Sequence, residues 1–168
     1  MEQVVKLGFF EGPWGPIWLA STSSGICWIS LREGRGAIER GLTCRIPGCT
    51  LREDPGAFGE AIRQMEEYFR GERHHFSLAM APMGTEFQLR VWKALQEVPY
   101  GQTQSYREIA VRVGRPQAAR AVGQAVGKNP LPILIPCHRV IQSNGGMGGF
   151  TGGLDLKSDL LALEARGK

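Results

Sequence analysis

The chain has 168 residues, 42% apolar and 21% charged, the balance of a soluble globular protein with room for one ordinary domain or two small ones. No uninterrupted apolar stretch nears the roughly 20 residues of a membrane helix, and Met1-Glu2-Gln3-Val4-Val5-Lys6 lacks the basic-then-apolar build of a secretion signal. A cytoplasmic protein with no membrane role and free cysteine thiols is therefore expected.

The charge divides unevenly. Residues 1–85 hold 9 Lys and Arg against 10 Asp and Glu, whereas residues 86–168 hold 11 against 6. A basic second half suits a polyanion partner, although an uneven scatter of surface charge gives the same count.

Short apolar runs broken by turns open the chain. Residues 4–10, 17–20 and 26–30 read as strands, with Gly12-Pro13-Trp14-Gly15-Pro16 as a turn between the first two. Residues 32–56, interrupted by Gly34, Gly36, Gly41, Pro47, Gly48 and Pro55, read as irregular. A helical period follows over 57–69, with Phe58, Ile62, Met65 and Phe69 on one face and Gly71 placed to end it. A linker at 80–84 divides this first α/β domain (1–80) from a second (84–168).

The second domain begins with Thr85 as N-cap and Gln88 as its capping-box partner, followed by a helix with Phe87, Val91, Trp92 and Leu95 inward. Pro99-Tyr100-Gly101 ends it. A short helix over 105–113 is closed by Gly114, and Pro116 is placed in the first turn of another helix over about 116–127. Two short helices so joined match a helix-turn-helix, whose second helix docks on DNA. That second helix is built almost wholly of Ala, Gly and Val with Arg120 its one long cation. Small residues allow close approach to another surface; a tightly packed helix pair with a solvated Arg120 has the same pattern.

The residues richest in chemistry follow. Three prolines and an apolar run in Asn129-Pro130-Leu131-Pro132-Ile133-Leu134-Ile135-Pro136 imply an extended backbone leading into Cys137. His138 and Arg139 are groups that lower a thiol pKa, yet extended backbone sends adjacent side chains to opposite sides. On these grounds alone Cys137 is either a nucleophile or an inert buried thiol. The glycine-rich segment 145–153 permits close backbone approach to a ligand.

Ile135-Pro136-Cys137-His138-Arg139-Val140 resembles the active-site signature of the O6-alkylguanine-DNA alkyltransferases. Residues 87–95, Pro99-Tyr100-Gly101, Ser105-Tyr106, residues 118–123, Asn129-Pro130 and Gly152-Gly153-Leu154 fit the same family in order and spacing. The resemblance implies a ribonuclease H-like α/β domain followed by a mostly helical domain with a helix-turn-helix. It implies a monomer that needs no cofactor. Such a protein moves an alkyl group, once per molecule, from O6 of guanine in double-stranded DNA to its own cysteine, flipping the base out through the minor groove.

Carried over position by position, the resemblance makes Cys137 the acceptor. His138 would take its proton through a water, and Glu164 would orient the imidazole. Tyr106 would donate to guanine N3. Arg120 would enter the duplex, with Ala119, Gly123, Thr103 and Ser105 on the DNA-binding surface. Val140, Gly148, Phe150 and Thr151 would line the base pocket, the Thr151 amide facing O6, and Asn129 would brace the turn before the nucleophile. Phe150-Thr151 departs from the family's Tyr-Ser; this bears on larger adducts rather than on methyl transfer. Cys27, Cys44, Cys49, His74 and His75 show no standard zinc spacing, and no metal is expected.

Overall fold

A computed structural model describes residues 3–167. Met1, Glu2 and Lys168, at the outer ends of the two expected domains, lie outside the described residues. The chain forms two compact units that meet in sequence between Met83 and Gly84. Among the described residues, no helix is long and apolar enough to cross a membrane.

The first unit is built on a sheet of four strands. β1 (Val4–Gly12) and β2 (Gly15–Thr22) form a hairpin around Pro13-Trp14, and β3 (Gly25–Leu31) continues it. β4 (Thr50–Glu53) lies parallel to β1, giving the order β3-β2-β1-β4. On one face Val5, Leu7, Ala20 and Cys27 pack against Ile38 and Leu42 of α1 (Arg35–Arg45). On the other, Gly8 admits the Phe58 ring, which a Cβ there would meet at 2.5 Å. Phe58 ends a 3-10 turn that leads into α2 (Gly59–Phe69).

Two sequence expectations fail here. Residues 32–56 are not irregular, since they hold α1 and β4. α1 carries only two inward residues, Ile38 and Leu42, and one of its glycines serves packing: a Cβ on Gly41 would lie 2.7 Å from the Trp28 ring. The expected face of α2 is buried only in part, at Phe58 and Met65. Ala61, Gln64, Met65 and Tyr68 point inward, while Ile62 and Phe69 are only half-buried. A glutamine can face the interior because its amide clamps Ser77, accepting from the Ser77 N–H at 2.8 Å and donating to its carbonyl at 3.3 Å.

The second unit is mostly helical. α3 (Glu86–Gln96) begins with the Thr85–Gln88 capping box, and α4 (Tyr106–Arg112) begins with another between Ser105 and Glu108. Gly114, at φ +77, turns the chain, and α5 (Ala119–Gly127) follows. Pro116 lies in the connecting turn and not in the first turn of α5, whose N-cap is Ala118. β5 (Gln104–Ser105) pairs in parallel with β6 (Val140–Ile141), so the start of α4 lies beside the segment after Cys137. A last helix, α6 (Leu154–Arg166), buries Leu156, Lys157, Leu160 and Glu164.

α3 and α5 are joined by Trp92, which is 1% exposed and whose indole N–H donates to the Ala125 carbonyl at 2.8 Å. Truncating a buried tryptophan typically costs about 3–5 kcal/mol. Trp92→Ala is therefore expected to lower the thermal unfolding midpoint of the second unit by well over ten degrees, as followed by calorimetry. A shift under about two degrees would show that Trp92 does not hold these helices.

Candidate active site

The approach to Cys137 is a tight turn, not the extended backbone expected from its prolines. The Ile135 N–H donates to the Leu131 carbonyl at 2.8 Å, and Ile133 sits at φ +76. That conformation is strained for a β-branched residue and persists only where the surroundings impose it. Asn129 supplies part of that constraint. Its Nδ2 donates to the Ile135 carbonyl at 2.8 Å, and its Oδ1 accepts from the Leu131 N–H at 2.9 Å. The same side chain favours the Cys137 thiolate.

Cys137, His138 and Arg139 form a 3-10 turn. The alternation that would separate the side chains of Cys137 and His138 in a strand therefore does not apply. All three residues are buried. Burial pushes the Cys137 thiol up to about 11, against the opposing pull of Asn129, Lys157 and local backbone N–H groups. At neutral pH the resting site holds a neutral thiol.

Behind the turn lies a charged cluster closed by α6. The Glu164 carboxylate, buried, accepts from His138 Nε2 at 2.7 Å, from Arg139 Nε and Nη2 at 2.9 Å each, and from the Gly101 N–H at 3.1 Å. Arg139 also donates to the Val98 carbonyl at 2.7 Å. Desolvation lowers the His138 pKa, and the partly opposing effect of Glu164 does not reverse it. The imidazole is thus neutral at pH 7, with its proton on Nε2 toward the acceptor-only carboxylate. Nδ1 is left as the basic nitrogen.

In front of the turn is a cleft of about 780 Å³. It gathers Tyr106, Ala119, Arg120, Gly123, Gly148, Phe150 and Thr151 around Cys137, together with Arg107 and Gln142. Tyr106, the first residue of α4, lies against the glycine-rich wall: a Cβ on Gly148, itself at φ +67, would come 2.5 Å from its hydroxyl oxygen. Burial raises the phenol pKa, opposed by a hydrogen bond from the Gly149 backbone. Arg120 is exposed at the start of α5, without an ion pair among the described residues. The Thr151 hydroxyl donates to the Gly127 carbonyl at 3.1 Å, tying the wall to the end of α5.

The other expected site residues stand apart from this cleft. Asn129, His138 and Glu164 lie behind Cys137, and Ser105 is occupied in capping α4. Thr103 is exposed ahead of β5. Val140 is buried and its carbonyl accepts from Lys157 Nζ at 2.6 Å. Lys157 itself escapes sequence reasoning, as does the bidentate grip of Arg139 on Glu164. The available signal was the run Leu156-Lys157, Leu160, Glu164, which places a cation and an anion on the apolar stripe of one helix. All four cysteines are free, and among the described residues no group of three or more His, Cys, Asp and Glu could hold a metal.

The chain matches two family profiles in tandem. Residues 5–82 match the 6-O-methylguanine DNA methyltransferase, ribonuclease-like domain, and residues 86–166 the 6-O-methylguanine DNA methyltransferase, DNA binding domain. A methylated-DNA–protein-cysteine methyltransferase of Methanosarcina acetivorans is 47% identical over 155 residues, covering 92% of this chain and 95% of its own. The protein of that name from Methanosarcina barkeri is 49% identical over 154 residues, covering 92% and 93%. Among solved structures, Mycobacterium tuberculosis OGT in complex with DNA superposes with a TM-score of 0.85 at 41% identity, covering 96% of this chain and 94% of that one.

With its thiol at about 11, Cys137 is expected to react with iodoacetamide in the absence of DNA about tenfold faster for each added pH unit from 7 to 9. Peptide mass spectrometry resolves it from the exposed Cys44. A plateau within that range would show a thiol already ionised in the resting protein.

Proposed function

Because the chain belongs to the 6-O-methylguanine DNA methyltransferase family, we propose that Cys137 is the residue that takes the alkyl group from O6-alkylguanine in double-stranded DNA. The protein is a DNA-repair methyltransferase, and its acceptor is a cysteine of its own. The observation that carries the assignment to Cys137 is its position at the floor of a cleft whose rim is the helix-turn-helix, with His138 and Glu164 directly behind it.

The roles follow from the chemistry. Displacement at an sp³ carbon needs an aligned thiolate and relief of the charge that builds on the purine. The Cys137 proton passes to neutral His138 through a water, and Glu164 stabilises the imidazolium that results. Sulfur then forms a bond to the alkyl carbon as the bond from carbon to O6 breaks. The electron pair moves onto the purine, where the Tyr106 hydroxyl donates to N3. Guanine leaves with one proton in place of the alkyl group, matching the proton lost from sulfur. The product is a thioether, which water does not hydrolyse, so each molecule acts once.

Access to the lesion requires the base to leave the stack, at a cost of a few kcal/mol. Arg120 is the wedge, on a helix whose Ala119 and Gly123 let the backbone approach the duplex closely. Thr103 and Ser105 accompany them on the DNA side. Gly148, Phe150 and Thr151 form the wall of the base pocket, with Val140 beneath it. The protein works as a monomer in the cytoplasm and needs no cofactor.

Incubation with a duplex containing O6-methylguanine is expected to add one methyl mass to the Cys137 peptide, with a yield that saturates at one per protein. Turnover beyond one, or the methyl on another residue, would overturn the assignment. Cys137→Ala should bind DNA and transfer nothing. Arg120→Ala should lose at least about tenfold in rate on duplex DNA while retaining most of its reaction with the free O6-alkylated base; equal losses on both substrates would remove Arg120 from the flipping role.

A further inference from the structure

Lys157 is fully buried, 0% exposed, on the inner face of α6. Its ammonium donates to the Val140 carbonyl at 2.6 Å, to the Gly149 carbonyl at 3.2 Å and to the Met147 carbonyl. Val140 is three residues past the nucleophile, and Gly149 lies on the cleft that Cys137 floors. Three carbonyls satisfy the three N–H groups of an ammonium, but they supply no countercharge. No carboxylate does so either: among the described residues Lys157 has no ion pair, and the buried Glu164 is taken up by His138 and Arg139. Asp155 and Asp159, on the same helix, are exposed.

The other ionisable groups buried beside the thiol are accounted for, and the two arginines on the cleft, Arg107 and Arg120, are exposed to solvent. His138 is held neutral, Tyr106 is a phenol whose pKa is raised, and Arg139 is matched by Glu164. The buried site therefore carries one uncompensated positive charge, on a side chain fixed by its three carbonyls. Burying an unpaired ammonium is costly unless a nearby group can meet its charge. Burial lowers the Lys157 pKa, and the group whose ionisation opposes this is Cys137: the electrostatic interaction of the pair favours thiolate at one and ammonium at the other.

We propose that Lys157 is a positioning residue whose fixed ammonium is the countercharge of the Cys137 thiolate during transfer. The inference rests on the assignment of Cys137 as acceptor. Three carbonyls pin the cation, so it does not need to move when the sulfur loses its proton, and no reorganisation is required at the moment of reaction. His138 receives the proton; Lys157 stabilises the charge left behind.

The test separates charge from packing. Lys157→Gln keeps two N–H donors for the carbonyls and removes the charge; Lys157→Met removes both; Lys157→Arg keeps the charge. Methyl transfer from O6-methylguanine duplex at pH 8 should slow at least about tenfold in Lys157→Gln and Lys157→Met and less than about threefold in Lys157→Arg. The second readout uses no DNA: iodoacetate and iodoacetamide compete for Cys137 in about 0.5 M salt, which screens the exposed arginines. Their rate ratio cancels accessibility, and it should fall at least about fivefold in Lys157→Gln relative to the unsubstituted protein. An unchanged ratio, or an arginine variant as slow as the glutamine one, would reduce Lys157 to a structural clamp and overturn the proposal.

If the neutral variants do not fold, the unsubstituted protein decides. The iodoacetate preference of Cys137 should exceed that of the exposed Cys44 in the same sample, and equal preferences would overturn the proposal. Failure of Cys137 in the unsubstituted protein to take a methyl from DNA would instead refute the assignment of the acceptor, and the anion preference would be unaffected by that result.

Discussion

The buried carboxylate of Glu164 is the constraint on which the rest of the second unit depends. It comes from α6 and reaches the 3-10 turn that holds Cys137. Four N–H groups converge on it, from His138, Arg139 twice, and Gly101. A buried carboxylate so fully satisfied fixes three segments at once: the turn after α3, the Cys137–Arg139 turn and α6. Removing it would leave a buried guanidinium unpaired, a loss of roughly 3–5 kcal/mol. It would also release the imidazole from the one tautomer in which Nδ1 can accept a proton.

The price of this arrangement is a Cys137 thiol that is not ionised at rest. A thiol at about 11 costs on the order of 5 kcal/mol to deprotonate at pH 7. That is less than the roughly 7–11 kcal/mol that alignment of reactants can supply, so a protonated resting thiol is compatible with fast transfer once the base is seated. It also limits damage. An acceptor used only once gains from being unreactive toward stray electrophiles, since only the thiolate attacks them. Burial of Cys137 thus protects a thiol that, once converted to a thioether, is not regenerated by water.

Much of the second unit was legible because its signals are local. Thr85 and Gln88 cap a helix by their spacing, Gly114 ends one by its backbone freedom, and the cysteine signature is contiguous. What escaped was set by contacts far apart in sequence. α1 has only two inward residues and two glycines, one needed beneath Trp28, so its period is faint until the tryptophan is in place. α6 puts Lys157 and Glu164 on its buried stripe, which reads as solvated charge unless their partners at Val140, Gly149, His138 and Arg139 are known. The prolines before Cys137 suggested extension; the Asn129 amide instead folds that segment into a turn by two hydrogen bonds.

The same long-range contacts explain why access and chemistry cannot be separated in this fold. α5 ends at Gly127, Asn129 begins the turn that delivers Cys137, and the Gly127 carbonyl receives the Thr151 hydroxyl from the opposite wall of the cleft. α5 is therefore connected to Cys137 through the hydrogen-bonded turn of residues 129–136 and to the wall through the bond between Thr151 and Gly127. The first path is buried and over-determined; the second is exposed and adds little to stability. The wall is held more firmly from behind, where Lys157 binds the Met147 and Gly149 carbonyls. The sulfur and the wall that faces it are therefore fixed by one buried framework, and the surface bond to α5 only supplements it.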